Sequence, residues 1–282
     1  MKLAVLLTCH NRKAHTLACL NMLFSNHLSD GYAFKVLLVD DGSTDGTSEE
    51  VRNYYPQVTV IEGDGNLYWN GGMRVAFSAA MEMGFDYYLW LNDDTLLYPT
   101  AIQSLLMTSM DLKKKHGKSV IVVGATKDKK GGRLTYGGVV RTSRWKRTAF
   151  TLIKPSDVPV ECETMNGNCV LIPDEIAQAV GGMEPEFAHA MGDLDYGLRA
   201  QDAGFSIWVM PDYAGICDNN PVTGSFNDPL LSVTLRLRKM LQPKGLPLKS
   251  WRIFTRRHAG FLWPIYWLWP YLKVTMKGVF KK

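Results

Sequence analysis

Two carboxylates stand side by side directly after a run of buried-strand character. Tyr87-Tyr88-Leu89-Trp90-Leu91 is uninterrupted apolar and aromatic sequence, the pattern of a strand covered on both faces. It stops at Asn92-Asp93-Asp94-Thr95. Open α/β sheets bind ligands beyond the carboxyl ends of their strands. Adjacent carboxylates there repel one another unless a cation or a polar ligand offsets the charge. Mg²⁺ and Mn²⁺ take oxygen ligands and bridge to phosphate oxygens, so they suit such a pair. A second acidic turn, Asp40-Asp41-Gly42-Ser43-Thr44-Asp45, follows the apolar run Phe34–Val39. A third group, Asp193-Leu194-Asp195-Tyr196-Gly197-Leu198-Arg199, has helical spacing. Asp195 and Arg199 lie four apart and can pair on one helix face. That leaves Asp193 free at the helix start, where the helix dipole favours a carboxylate. Each stretch alone also fits a solvated turn or an ordinary helix N-terminus.

The elements that must position these groups alternate. Leu3–Cys9 is a first strand, and a helix over Ala14–Phe24 follows it. Phe34–Val39 is a second strand, followed by a helix capped at Thr44 or Asp45 and running to about Tyr54. Val58–Ile61 is a third. Gly63–Gly72 is a loop rich in Gly and Asn, and Met73–Met83 is a helix closed by Gly84. The strand Tyr87–Leu91 completes a β-α-β-α-β-α-β series. That series predicts an α/β fold with a mostly parallel central sheet flanked by helices. After Ser119–Val123 the pattern changes to short strands and hairpins over 131–165, a strand at Cys169–Ile172, a helix over Asp193–Ala203 and a strand at Phe205–Met210. We divide the chain into an α/β domain, 1–227, and a helical C-terminal appendage, 228–282.

With 282 residues the chain is long enough for a proper core, and its charge content is that of a globular protein. Its five cysteines form no CxxC pair and fit free thiols in a reducing compartment. Met1–Cys9 is read as a strand rather than a signal peptide, because His10-Asn11-Arg12-Lys13 follows without a small-residue cleavage site. The net charge of +5 hides an asymmetry: residues 229–282 hold 12 Lys and Arg and no Asp or Glu. Half of the eight tryptophans, Trp251, Trp263, Trp267 and Trp269, fall in the same tail, interleaved with Phe254, Phe261, Tyr266 and Tyr271. Aromatics beside cations suit an anionic membrane surface. The run Gly260–Leu272 is too short to span a bilayer and contains Pro264 and Pro270. These aromatics also suit packing on the α/β domain or a homodimer interface. No nucleic-acid-binding motif is present.

Five stretches in order carry a resemblance: Thr8-Cys9-His10-Asn11-Arg12, Val39 to Asp45, Gly65-Asn66 through Gly72, Leu91 to Thr95, and Met191 to Arg199. Together, over about residues 2–215, they resemble the inverting family 2 glycosyltransferases of the GT-A fold, including those that build bacterial surface polysaccharides. The resemblance implies a nucleotide-sugar donor, a saccharide or polyprenyl-diphosphate-linked acceptor, and a divalent metal, Mn²⁺ or Mg²⁺. It implies that Asp193 is the catalytic base and Asp94 the principal metal ligand. Thr8, His10, Arg12, Asn66, Asn70, Asn92 and Asp93 would line the donor. Asp40 would accept a hydrogen bond from N3–H of uracil or thymine, pointing to a UDP- or dTDP-sugar. Many relatives carry Asp at Asn92, Glu at Gly192 and a downstream metal-binding His. Here the last region reads Gly215-Ile216-Cys217-Asp218, with Asp218 as the stand-in metal ligand. The resemblance further implies a site of action in the cytoplasm, at the inner face of the membrane. The competing readings are a sugar nucleotidyltransferase, which normally has a glycine-rich loop where Thr8–Lys13 stands, and a non-catalytic nucleotide- or carbohydrate-binding relative.

Overall fold

The computed structural model describes residues 1–28 and 31–279. Strand and helix alternate from the start: β1 (Lys2–Cys9), α1 (Lys13–Phe24), β2 (Ala33–Asp40), α2 (Thr47–Tyr54), β3 (Thr59–Glu62), α3 (Tyr68–Met83) and β4 (Tyr87–Leu91). A short β5 (Leu96–Leu97), α4 (Ala101–His116) and β6 (Val120–Lys127) follow. The hairpin region holds β7 (Leu134–Tyr136), β8 (Gly138–Arg141), β9 (Phe150–Leu152), β10 (Val160–Cys162), β11 (Thr164–Met165) and β12 (Cys169–Pro173). Next come α5 (Asp174–Val180), α6 (Gly192–Asp202) and β13 (Ser206–Ile216). The chain ends in α7 (Val233–Met240), α8 (Leu248–His258), a 3₁₀ turn (Gly260–Leu262) and α9 (Trp263–Val279).

The central sheet has the order β10-β13-β6-β12-β4-β1-β2-β3. Strands β3, β2, β1 and β4 are mutually parallel, and β6 pairs in parallel with β13. β12 runs antiparallel between β4 and β6. The sheet is therefore mostly parallel with one inverted central strand. β8, β9 and β11 form a separate small sheet.

Side chains alternate across the sheet, so each strand feeds two cores. Val5 and Leu7 of β1 face Leu20 and Leu23 of α1 and Leu105 of α4. Ala4 and Leu6 face the other way, toward Phe77 and Ala80 of α3 and Tyr88 and Trp90 of β4. A fully buried side chain of this size contributes about 1.5–3 kcal/mol. The aromatic run of β4 is thereby explained: Trp90 stacks edge-on with Phe77 and Tyr196. A third cluster joins Phe187, Met191 and Leu198 to Trp251 and Phe254 of α8. The C-terminal helices are thus docked on the body beside α6.

The main departure from the sequence reading lies at 63–72. The loop ends at Leu67, and α3 begins at Tyr68, one and a half turns before the expected Met73. Gly71 and Gly72, which read as loop residues, are helical and buried. Their small size lets α3 press on the end of β1, where a Cβ on Gly72 would lie 2.1 Å from the Thr8 hydroxyl. Two helices, α4 and α5, have no counterpart in the sequence reading.

Candidate active site

The cleft opens where the parallel strands end. It is about 380 Å³ and is lined by Thr8, His10, Arg12, Asp41, Trp69 and Asp93, among others. β1 and β4 deliver Thr8 and the Asn92-Asp93-Asp94 turn to the same edge because they pair in register. Arg12, just before α1, spans both carboxylates: Nη1 lies 3.3 Å from Asp93, and Nη2 lies 2.5 Å from Asp94. One guanidinium therefore faces two buried or half-buried acids. Burial pushes the Asp93 pKa up to about 7; Arg12 opposes the shift and Asp94 adds to it. The site is short of positive charge.

Asp94 has a further neighbour. The Cys217 thiol donates to its other oxygen at 3.5 Å. Burial first, and Asp94 second, push that thiol up to about 12. Asp218, the expected stand-in ligand, is directed elsewhere: its carboxylate accepts from the Lys129 backbone N–H. The strand end after β13 thus presents Cys217 to Asp94 in place of Asp218. Among the described residues, no group of three or more His, Cys, Asp or Glu side chains converges as a ready metal cage. The chemistry of the donor set still fits a divalent cation. Two adjacent carboxylates are under-neutralised, and such ions complete their shell with substrate phosphates and water.

Asp40 and Asn70 correct the sequence reading. Asp40 is 1% exposed. It accepts from the Ser43 N–H at 3.0 Å and from the Ser48 hydroxyl, so it holds its own loop closed and offers no oxygen to a base. Its neighbour Asp41 faces the cleft and accepts from the N–H groups of Gly65, Leu67 and Tyr68. That fixes the start of α3, where Tyr68 has a φ of 55°. Asn70 is 0% exposed and turns away from the cleft, donating to the carbonyls of Glu184 and Phe187. Its Oδ1 fills the space a side chain at 192 would need: a Cβ there would lie 1.6 Å away. Position 192 therefore has no room for a side chain while Asn70 holds this rotamer. Asn66 is exposed and closes a local turn with Asp64. His10 is held by Asp41, its Nδ1 lying 2.5 Å from the Asp41 carbonyl oxygen.

Asn92 reveals how the two acidic regions are joined. Its Oδ1 accepts from the Trp69 indole at 2.7 Å, and its N–H donates to the Asn168 carbonyl. The Trp69 ring packs on Gly167, where a Cβ would lie 2.4 Å from ring carbons. The Gly167 N–H in turn donates to Asp193 Oδ2 at 2.9 Å. A chain of direct contacts thus runs Asn92–Trp69–Gly167–Asp193, linking Asp193 through the cleft-lining Trp69 to the acidic strand end. Asp193 follows Met191, which has a φ of 74° at the start of α6. Burial raises the Asp193 pKa, and the N–H groups of Gly167 and Leu194 partly offset this. No cation pairs with it among the described residues.

Asp195 is 0% exposed and fully engaged. It accepts from Arg199 Nε at 2.8 Å, Arg257 Nη1 at 2.6 Å and His258 Nε2 at 2.9 Å. Burial opposes its charge, but these hydrogen bonds outweigh that and set its pKa below the usual carboxylate range. The residues that sequence reading missed are Asp41, Trp69, Gly167, Cys217, His189 and Lys244. Asp41 and Trp69 sat inside motifs already noted. Gly167 and Lys244 carried no local signal.

Residues 4–170 match the family Glycosyl transferase family 2. The chain is 26% identical over 200 residues to N-acetylglucosaminyl-diphospho-decaprenol L-rhamnosyltransferase of Mycobacterium tuberculosis, covering 62% of this chain. It spans 63% of that relative's length. Among solved structures it resembles residues 1–349 of S. aureus TarS in complex with UDP, with TM-score 0.56 and 15% identity over 91% of this chain and 70% of that one. It also resembles the mannosyltransferase PcManGT from Pyrobaculum calidifontis in complex with GDP-Man and Mn²⁺, with TM-score 0.55 and 16% identity over 86% of this chain and 62% of that one. The fold is GT-A-like, as these structures share its α/β architecture. On sequence and fold together, the chain belongs to glycosyl transferase family 2.

Proposed function

We propose that the protein transfers a sugar from a nucleoside-diphosphate donor to a saccharide carried on a polyprenyl diphosphate, with inversion, and that Asp193 is the base. The observation that carries this reading is the contact chain from Asn92 through Trp69 and Gly167 to Asp193. It links a carboxylate of raised pKa, with no cation partner among the described residues, to the acidic strand end. In the reaction an acceptor hydroxyl oxygen attacks the anomeric carbon as the bond to the donor phosphate oxygen breaks. The hydroxyl proton passes to Asp193, and the nucleoside diphosphate leaves with the bonding pair. A carboxylate whose pKa is raised by burial is better matched to taking up this proton than an ordinary one.

Arg12 holds the strand-end carboxylates in place and would offer positive charge to a leaving diphosphate. Asp94, with Asp93 behind it, would hold a divalent cation. When bound, that cation would stabilise charge on the leaving group. His10, Thr8 and Tyr68 line the donor side of the cleft. The lipid-linked acceptor is suggested by the name of the mycobacterial relative. The basic tail supports a second part of the reading: it lies on the anionic inner face of the cytoplasmic membrane, where such an acceptor is found.

With Asp40 enclosed, the uracil or thymine preference has lost its main support, so the base is decided by measurement. The test is a thermal-shift screen of UDP, dTDP and GDP with and without Mn²⁺ or Mg²⁺, followed by transfer assays on Asp193→Asn. Stabilisation by a nucleoside diphosphate with loss of turnover in the variant is expected. No stabilisation by any nucleotide, or full turnover in Asp193→Asn, overturns the reading.

A further inference from the structure

Helix α9 is apolar on two faces. One face is used: Trp267 donates to the Leu248 carbonyl, Tyr271 donates to the Leu246 carbonyl, and Val274 is buried. The other is not: Ile265, Leu268, Trp269, Leu272 and Met276 are all exposed and recur at helical spacing. Phe261, in the 3₁₀ turn before the helix, is 90% exposed. Such a stripe on a folded protein marks an interaction surface. No described helix is long and apolar enough to cross a membrane. The structure also divides the tail's aromatics differently from the sequence reading. Trp251 and Phe254 are core residues, and Arg257 is consumed by Asp195 and Glu184.

A second element reaches the same surface. The turn between β8 and β9 carries Arg144-Trp145-Lys146-Arg147, and Trp145 is 68% exposed. Tyr266 of α9 donates to the Trp145 carbonyl, which ties the turn to the helix. Between them lies a cavity of about 270 Å³, lined by Arg144, Trp145, Arg147, Gly260, Phe261 and Tyr266. No carboxylate lines it, and among the described residues neither Arg144 nor Arg147 has an acidic partner. Two guanidiniums without acidic partners, one of them stacked over the exposed Trp145 ring, match a phosphate ester below an acyl chain. Arginine forks recognise phosphate, and aromatic rings sit at headgroup depth.

We infer that the outer stripe of α9, Phe261 and the Trp145 turn form one membrane-docking surface, and that the Arg144–Arg147 cavity takes the phosphate of an anionic phospholipid headgroup. This rests on the membrane part of the proposed function and adds to it a site outside the tail. Charge chooses lipid over a second copy of the chain: Arg144 and Arg147 line the cavity with Phe261, Arg252 lies over the Trp263 ring, Lys273 lines a cleft with Trp269, and no acid follows Asp228. Two like-charged faces brought together would repel.

The test is co-sedimentation of the full chain with phosphatidylcholine vesicles with and without phosphatidylglycerol at low salt. It compares wild type, Arg144→Glu/Arg147→Glu, Trp145→Ala and Leu268→Glu. All are exposed positions, and circular dichroism checks the fold. The expected result is binding to phosphatidylglycerol vesicles that the arginine pair variant weakens by at least about tenfold, since each basic residue near an anionic surface is worth roughly fivefold. Trp145→Ala and Leu268→Glu should weaken it too, while transfer to a water-soluble acceptor stays unchanged. Binding by wild type but equal binding by the arginine pair and Trp145 variants overturns the composite surface and leaves the tail as sole anchor. No binding by wild type overturns both this inference and the membrane reading, with the transferase assay unaffected. A dimer in solution that Leu268→Glu dissociates without loss of vesicle binding assigns the stripe to a second copy and overturns the proposal.

Discussion

Carboxylates crowd together in two places, the cleft beyond β4 and the seam between α6 and α8, and the chain treats them in opposite ways. In the seam, Asp195 and Glu184 meet Arg199, Arg257 and His258, and every oxygen of Asp195 has a partner. At the strand end, Asp93 and Asp94 share Arg12 as their one cation among the described residues, and Asp193 has no cation, only two backbone N–H groups. The pKa directions follow: Asp195 is lowered, while Asp93 and Asp193 are raised. A finished ion network holds elements together. An unfinished one leaves room for ligand charge and for a proton. Two residues on one helix, 193 and 195, thus divide between chemistry and architecture.

The strongest way to break this contrast is to neutralise each aspartate in turn. Asp193→Asn should lower turnover by about 10²–10⁴, the usual worth of a general base, with the fold intact. Asp195→Asn should instead lower stability by about 3 kcal/mol, because it leaves buried cations unpaired. Chemical denaturation and single-turnover kinetics on both variants separate the two; a larger kinetic loss in a folded Asp195→Asn would reverse the assignment.

Next in size is Asp94→Ala. It should remove the metal-dependent gain in nucleotide affinity, read by calorimetry with Mn²⁺ and with EDTA. Unchanged nucleotide affinity in EDTA for the wild type would show that the cleft's charge deficit is met without a metal. Gly167→Ala should displace the Trp69 ring and cost about 1–3 kcal/mol of stability, the usual price of overpacking. It should also slow turnover, since the displaced ring and Gly167 together position Asp193.

The smallest effect concerns pH. Asp195 has a lowered pKa, so its contribution to stability is full above the unfolded value of about 4 and is lost as pH falls through its folded value. Asp193 is raised, so its contribution falls as pH rises through the window above about 4. Asp193→Asn should therefore be slightly more stable than wild type at neutral pH, and Asp195→Asn should lose the wild type's sensitivity below about pH 4. Thermal melts across pH test both signs.

Much of this was legible in the chain itself. The alternation of apolar runs with helix signals predicted β1 to β4 and the helices between them, because strand burial and helix start depend on neighbours in sequence. The acidic turn after Leu91 stood out for the same reason. So did the Asp195–Arg199 pair, which is set by one helical turn. What the local pattern could not supply was each polar group's distant partner. Asp195 meets Arg257 and His258 across 62 and 63 residues. Asn70 meets Glu184 and Phe187 across 114 and 117. Asp94 meets Cys217 rather than Asp218 across 123, just past the end of β13. The two faces of α9 carry equally apolar side chains, so composition marked the helix as interactive without saying which face was used. Only packing against α7 and α8 decided that, because burial is a property of what lies opposite a residue and not of the residue alone.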